Sequence, residues 1–121
     1  MAKKKVSKTE LKDAVVIGIQ EKKGIDIKVL DLRKLKSAMA DYFIVCHATS
    51  DKQVSAIASS VEEFVRKLTG EKPMHIEGWE SAEWILIDYF DVVVHIFVEE
   101  KRAFYGIEDL WGDAEITEIK D

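Results

Sequence analysis

The most regular pattern in the chain is a pair of apolar runs, residues 84–87 and 92–98, joined by a short turn. Neither run alternates between apolar and polar residues, as a half-solvated strand does. Continuous apolar runs of this length are typical of strands that are covered on both faces. The pattern therefore predicts a β-hairpin over residues 84–98 at the buried centre of a sheet, with Asp88 and Asp91 in its turn.

Two longer segments have apolar residues at helical spacing, and each begins with the spacing of a helix-capping box. Ser7 is predicted to start the first helix, which ends near Gly24 in a left-handed cap. Ser50 is predicted to start the second helix, which ends at Gly70. Residues 99–105 and 107–111 are predicted to be short helical turns.

Further strands are predicted at residues 26–32, 41–48 and 72–77, and residues 115–119 form either a closing edge strand or a tail. Charges at Asp26 and Lys28 place the first of these strands near a sheet edge. The strand, helix and strand over residues 41–77 indicate a right-handed crossover between parallel strands. Because the hairpin adds antiparallel pairing, we expect an α/β fold with a mixed sheet and helices on both faces.

The composition indicates one globular domain over residues 7–121, preceded by a flexible basic tail over residues 1–6. The sequence of 121 residues is 47% apolar, which is enough for a sizeable core. It has no apolar stretch long enough to span a membrane and no secretory signal. Cys46 is the only cysteine, so we expect a buried thiol, no internal disulfide and a cytoplasmic protein.

Charge is distributed unevenly along the chain. The first twelve residues contain five lysines and one glutamate, which gives them a net charge of +4. Because the whole chain has a net charge of −5, residues 13–121 carry a net charge of −9. A body this acidic is repelled by phosphate backbones, which argues against direct DNA binding and favours a basic protein partner. The lysine tail is either a solubilising terminus or the one segment that contacts RNA.

A nucleotidyl-transfer site is one functional hypothesis, but its chemistry is poorly matched. Residues that share one face of a strand lie two apart, whereas Asp88 and Asp91 lie three apart across a turn. The segment before Ser50 also lacks the glycines that let a backbone approach phosphate. His47, His75 and His95 fall on separate predicted strands without zinc-site spacing, so we expect no metal and no cofactor. We interpret His95 as a hydrogen-bonded core histidine.

An interaction surface is the stronger hypothesis, because aromatic residues are concentrated after residue 78 and acidic residues lie beside them. Trp79, Tyr89 and Phe90 fall in loops or turns and are difficult to bury, whereas Phe104 and Trp111 are predicted to lie in the core. Aromatic residues dominate the binding energy of interfaces. Acidic neighbours would steer a basic protein toward them, namely Glu77, Glu80, Asp88 and Asp91.

About 72 residues of the chain resemble the ribosomal silencing factor family, also called the Iojap family. The matching pieces are residues 40–46, Thr49-Ser50, Val54 with Ile57-Ala58, Glu77-Gly78, residues 81–89, residues 91–97, Arg102, Phe104-Tyr105 and Leu110-Trp111. The resemblance implies a nucleotidyltransferase-like topology without an active site. It also implies a non-enzymatic factor that binds the large ribosomal subunit through the L-fourteen ribosomal protein, blocks subunit joining and represses translation when nutrients are scarce.

The resemblance implies that partner contacts come from the strand and turn that follow Gly78. The residues expected to bind the partner are Trp84, Asp88, Tyr89, Phe90, Asp91, Glu77, Ser50 and Arg102. The family usually has glycine where this chain has Phe90, so Phe90 is either strained or retained for contact. The alternatives are a nucleotide-binding or nucleotidyltransferase-type enzyme and an adaptor that forms homodimers through an exposed strand.

Overall fold

The computed structural model describes residues 8–36 and 38–120. It contains four helices, α1 (Lys8–Glu21), α2 (Asp51–Thr69), α3 (Glu99–Tyr105) and α4 (Ile107–Leu110). Its strands are β1 (Ile25–Asp31), β2 (Tyr42–Ala48), β3 (His75–Glu77), β4 (Trp84–Asp88), β5 (Val92–Val98) and β6 (Glu115–Ile119). The predicted order of elements is confirmed, although β3 is shorter than expected. The predicted basic tail and the cap at Ser7 lie outside the described residues.

The described strands form one mixed sheet in the order β3-β4-β5-β2-β1-β6. Strands β2 and β5 pair in parallel, and every other pair of neighbours is antiparallel. Strands β2 and β3 therefore run in the same direction, but two other strands lie between them. Residues 115–119 form an edge strand next to β1, so the strand alternative is confirmed and the tail alternative is wrong.

Helices α1 and α2 cover the first face of the sheet. The side chains that β4 and β5 direct to this face are fully buried, namely Ile85, Ile87, Val92, Val94 and Ile96. The two helices approach closely at Gly18, where an added Cβ would lie 2.8 Å from the Cα of Val61. The Ser60 hydroxyl donates a 2.7 Å hydrogen bond to the carbonyl of Gly18 at this crossing.

The second face is covered only in part, which corrects the prediction that the hairpin is buried on both faces. A smaller cluster around Val45, Phe97 and Ile107 packs on this face, beneath short helices of 7 and 4 residues. Because these helices are so short, Leu86 and Val93 remain half-buried on the side of the hairpin nearer its turn. Helices do lie on both faces, but the second layer is incomplete.

The cap of α1 differs from the prediction at Gly24. The left-handed residue is Lys23, with φ of 58°, and its N–H donates to the carbonyl of Gln20. The N–H of Gly24 donates to the carbonyl of Ile19 at 3.0 Å, which completes a Schellman motif one residue earlier than expected. Glycine leaves the necessary space at position 24, because a Cβ there would overlap Cγ2 of the fully buried Ile19.

Candidate functional site

The turn between β4 and β5 is held by hydrogen bonds within its own residues. The N–H of Tyr89 donates to the carbonyl of Val92 at 2.9 Å, and the N–H of Asp91 donates to the carbonyl of Tyr89 at 3.0 Å. Phe90 has φ of 75°, in the left-handed region. Its N–H donates a 2.7 Å hydrogen bond to Oδ1 of Asp88. Asp88 is therefore engaged in shaping the turn.

Tyr89 and Phe90 have opposite environments, although both belong to the turn. Tyr89 is only 5% exposed and joins the main core, so the expectation that it would be difficult to bury is wrong. It continues the alternation of Ile85 and Ile87, which puts it on the covered face. Burial raises the pKa of its phenol. Phe90 is 63% exposed, so the same expectation is confirmed there.

The backbone of Asp91 joins the turn to the neighbouring strand. Its carbonyl accepts hydrogen bonds from the N–H groups of Asp41, at 2.8 Å, and of Tyr42, at 3.1 Å. These bonds fix the start of β2 beside the start of β5. They give Asp91 a structural role in addition to the partner contact predicted for its carboxylate.

Trp84 lies at the other end of β4 and packs into an aromatic group. Its ring stacks on Phe97 with a centroid distance of 5.0 Å and lies 4.6 Å from the ring of Tyr105. Its indole N–H donates a 3.1 Å hydrogen bond to Nδ1 of His95. The half-buried Trp84 therefore presents only part of its surface to a partner.

The interpretation of His95 as a hydrogen-bonded core histidine is confirmed, but only one of its two ring nitrogens has a partner among the described residues. His95 is 2% exposed, and burial lowers the pKa of its imidazole to about 3. Because Nδ1 accepts from Trp84, the ring proton of the neutral form lies on Nε2. Nε2 has no hydrogen-bond partner among the described residues.

Glu77 and Asp88 are linked through the edge strand. His75 lies 3.0 Å from Glu77, between Nε2 and Oε2, and 3.7 Å from Asp88, between Nδ1 and Oδ2. Strand β3 carries His75 and Glu77 beside β4, with His75 opposite Asp88. The structure thus brings Glu77, Asp88 and Phe90 to one corner of the sheet.

Arg102 and Ser50 occupy positions that are mainly structural. Arg102 is 7% exposed, and its guanidinium donates to the Glu108 carboxylate at 2.8 Å and to the Asp26 carbonyl at 2.7 Å. Its NH1 also lies 2.8 Å from Nδ1 of His47. The hydrogen bond from Arg102 lowers the pKa of Glu108. Ser50 caps α2 by accepting from the N–H of Gln53 at 3.2 Å.

The structure also reveals surface residues that sequence reasoning missed. Leu86 and Val93 are half-buried beside Asp88 on the second face, and Met39 nearby is 96% exposed. For Leu86 the signal was the geometry of a strand, in which the side chains of residues 84, 86 and 88 point to one face. Phe104 was predicted to lie in the core but is 75% exposed, because α3 turns that side chain outward. We call the surface formed by Trp84, Leu86, Asp88 and Val93 the open face.

Within the described ranges, no cluster of three or more His, Cys, Asp or Glu side chains has the geometry of a metal site. Over the same residues, no helix combines the length and apolar character needed to cross a membrane. Cys46 is fully buried as expected, and burial raises the pKa of its thiol to about 12.

The class of protein emerges when this fold and surface are compared with known proteins. The family model described as "Ribosomal silencing factor during starvation" matches residues 5–121. Ribosomal silencing factor RsfS of Halalkalibacterium halodurans is 39% identical over 95% of this chain and 97% of its own length. The factor of the same name from Bacillus subtilis is 41% identical over 82% of each chain.

A solved structure agrees with these relatives. The crystal structure of a Chromobacterium violaceum protein superimposes with a TM-score of 0.83 and 37% identity, covering 88% of each chain. This chain belongs to the ribosomal silencing factor family.

Proposed function

We propose that this chain binds the large ribosomal subunit through the L-fourteen ribosomal protein and blocks subunit joining by occupying space. Translation is thereby repressed when nutrients are scarce. The proposal rests on membership of the ribosomal silencing factor family. The observation that carries the choice of surface is the open face, where Leu86 and Val93 stay half-buried because α3 and α4 cover only the other end of the hairpin.

The chemistry of the open face suits a basic protein. Apolar atoms of Trp84 and Leu86 supply area that a partner can bury, and buried area is the main source of association energy. Asp88 and Glu77 supply negative charge at one corner. A basic surface would be attracted to this corner and to the acidic body, whereas a phosphate backbone would be repelled.

The mechanism requires no chemical step, because a bound domain can exclude another subunit sterically. A nucleotidyltransferase is less well supported, since Oδ1 of Asp88 already accepts the N–H of Phe90. In addition, Asp51 begins α2 and would repel a phosphate at that helix terminus. We therefore favour a binding factor over an enzyme.

Co-sedimentation with isolated large subunits tests the proposal, and Leu86→Glu tests its surface. We expect the native chain to sediment with the large subunit and to lower the rate of 70S formation measured by light scattering. A charge at Leu86 is expected to weaken binding by about thirtyfold or more, the loss that marks an interface hot spot. The matched control is Leu68→Glu, because Leu68 is 57% exposed on α2, across the sheet.

Two results would contradict the proposal. Absence of the native chain from the large-subunit fraction at low salt would exclude ribosome binding. Equal binding by Leu86→Glu and Leu68→Glu, with circular dichroism showing that both are folded, would move the contact away from the open face.

A further inference from the structure

A cavity of about 450 Å³ lies on the open face, beside the hairpin turn. Its apolar walls come from β2, β4, β5 and the segment after α4, and they include Phe43, Leu86, Val93 and Trp111. A volume of this size is typical of sites that enclose a ligand or several side chains. The cavity is therefore large enough to receive a side chain of a partner.

The same cavity is lined by His95, the buried histidine whose Nε2 has no partner among the described residues. The other ring nitrogen is occupied, since it accepts the indole N–H of Trp84 at 3.1 Å. Buried N–H donors are almost always paired in native proteins. An occupant of the cavity that brings an acceptor would satisfy this donor.

The mouth of the cavity combines exposed apolar side chains with negative charge. Met39 and Phe90 are 96% and 63% exposed, and both line the cavity. Asp88 also lines it, with Oδ1 bound to the N–H of Phe90 and Oδ2 lying 3.7 Å from His75. Glu77 adds a second carboxylate, 3.0 Å from the other side of the His75 ring.

We propose that this cavity receives an apolar side chain from a basic segment of a partner protein. A backbone carbonyl of that segment accepts a hydrogen bond from Nε2–H of His95. A Lys or Arg next to the inserted side chain pairs with Asp88. The inference rests on the proposed function and specifies the partner chemistry of its surface. Charge complementarity favours a basic occupant, because the rim of the cavity is acidic and residues 13–121 carry a net charge of −9. A polypeptide is favoured over a small molecule because the open face extends beyond the cavity at the half-buried Trp84, which does not line it.

The hydrogen bond can be tested by NMR on the full chain labelled with ¹⁵N. Long-range ¹H–¹⁵N correlation of the imidazoles should show His95 as the neutral form with its proton on Nε2. Addition of purified L-fourteen protein is expected to move the Nε2–H signal downfield and to slow its exchange with water. The signals of His47 serve as an internal control, because His47 lies at the opposite end of β2, next to Arg102.

The apolar contact can be tested at a position outside the core. Met39→Glu changes a side chain that is 96% exposed, and we expect it to weaken binding to large subunits by about tenfold. Leu110→Glu is the matched control, since Leu110 is 76% exposed and does not line the cavity. Equal affinities for these two variants, together with an unchanged His95 signal, would overturn the inference. The proposed function would still stand if the native chain sediments with large subunits.

A small-molecule occupant is a distinguishable outcome. The probe is N-acetyl-leucinamide, which carries one apolar side chain and two carbonyls but no positive charge. A His95 signal that moves with this amide and not with the basic protein would assign the cavity to small molecules and overturn the inference. A signal that moves with the protein at far lower concentration than with the amide supports it.

Discussion

Oδ1 of Asp88 accepts the backbone N–H of Phe90 at 2.7 Å, and this bond holds Phe90 at φ of 75°. A residue with a Cβ adopts the left-handed region at a cost of about 1–2 kcal/mol. The hydrogen bond from a carboxylate offsets part of this cost. The turn that displays Phe90 is therefore a strained segment stabilised by the acidic residue that precedes it.

Replacing Phe90 with glycine is expected to stabilise the fold. Phe90→Gly should raise the free energy of unfolding by about 1 kcal/mol, because glycine adopts positive φ freely and Phe90 buries little surface. Urea denaturation measures the change. Phe104→Gly is the matched control, with the opposite sign expected, since Phe104 is also largely exposed but lies inside helix α3.

The same variant tests whether Phe90 contacts the partner. We expect Phe90→Gly to bind large subunits more weakly than the native chain although it is more stable. Unchanged affinity would remove Phe90 from the binding surface and leave the aromatic ring without a functional reason to retain the strain.

Asp88 and Phe90 are expected to be energetically coupled. Asp88→Ala should lower the free energy of unfolding by about 1 kcal/mol in the native chain. In the Phe90→Gly background the loss should be smaller by about 0.5 kcal/mol, because glycine holds the turn without the side-chain bond. Urea denaturation of the four proteins gives the coupling. Strict additivity would show that the carboxylate does not support the strained residue.

The sheet and its helices could be predicted because local patterns determine them. The uninterrupted apolar run at Val92–Val98 required burial, and the residues from Val54 to Val65 could only form a helix with one apolar face. The burial of Tyr89 was predicted wrongly, although the strand pattern contained a signal for it. Tyr89 follows Ile85 and Ile87 at intervals of two residues, so its side chain points to the same covered face as theirs.

The open face could not be predicted, because it depends on how far the second layer of the fold extends. The apolar run of β5 gives no sign that α3 and α4 cover only one end of the hairpin. The role of Arg102 was hidden for a similar reason. Its partners Asp26, His47 and Glu108 are scattered through the sequence and meet only in the folded chain.

Arg102 is expected to matter chiefly for stability. Arg102→Met should lower the free energy of unfolding by about 3 kcal/mol, because it removes the buried donor of the Asp26 carbonyl and leaves the Glu108 carboxylate with Lys28 alone. The comparison is Arg33→Met, which also breaks an ion pair with a 2.7 Å contact, but on the surface. A much smaller loss is expected for Arg33, since exposed pairs are screened by water. Equal losses in urea denaturation would contradict the structural role of Arg102.

Stability should depend on pH through His95. Its pKa is lowered to about 3 in the folded chain by burial, compared with about 6.5 when exposed. As the pH falls below about 6.5, the unfolded chain takes up a proton that the folded chain does not. The free energy of unfolding is therefore expected to fall by about 1.4 kcal/mol per pH unit between about pH 6 and pH 4 from this group.

His95→Gln isolates this contribution. The variant loses the hydrogen bond to Trp84 at every pH, which lowers the whole curve, but it should also have a shallower slope between about pH 6 and pH 4. Urea titrations at several pH values give the two slopes. Parallel curves would show that His95 is not held neutral by burial.

The acidic corner is expected to act mainly on the rate of association. Glu77→Lys replaces a side chain that is 70% exposed next to His75, so it should not affect folding. At low salt we expect association with large subunits to slow by about tenfold, because rim charges steer encounter more than they hold the complex. At high salt the difference should shrink as the charges are screened. Glu63→Lys on α2 is the matched control, and an equal slowing by both variants in stopped-flow measurements would assign the effect to net charge rather than to the open face.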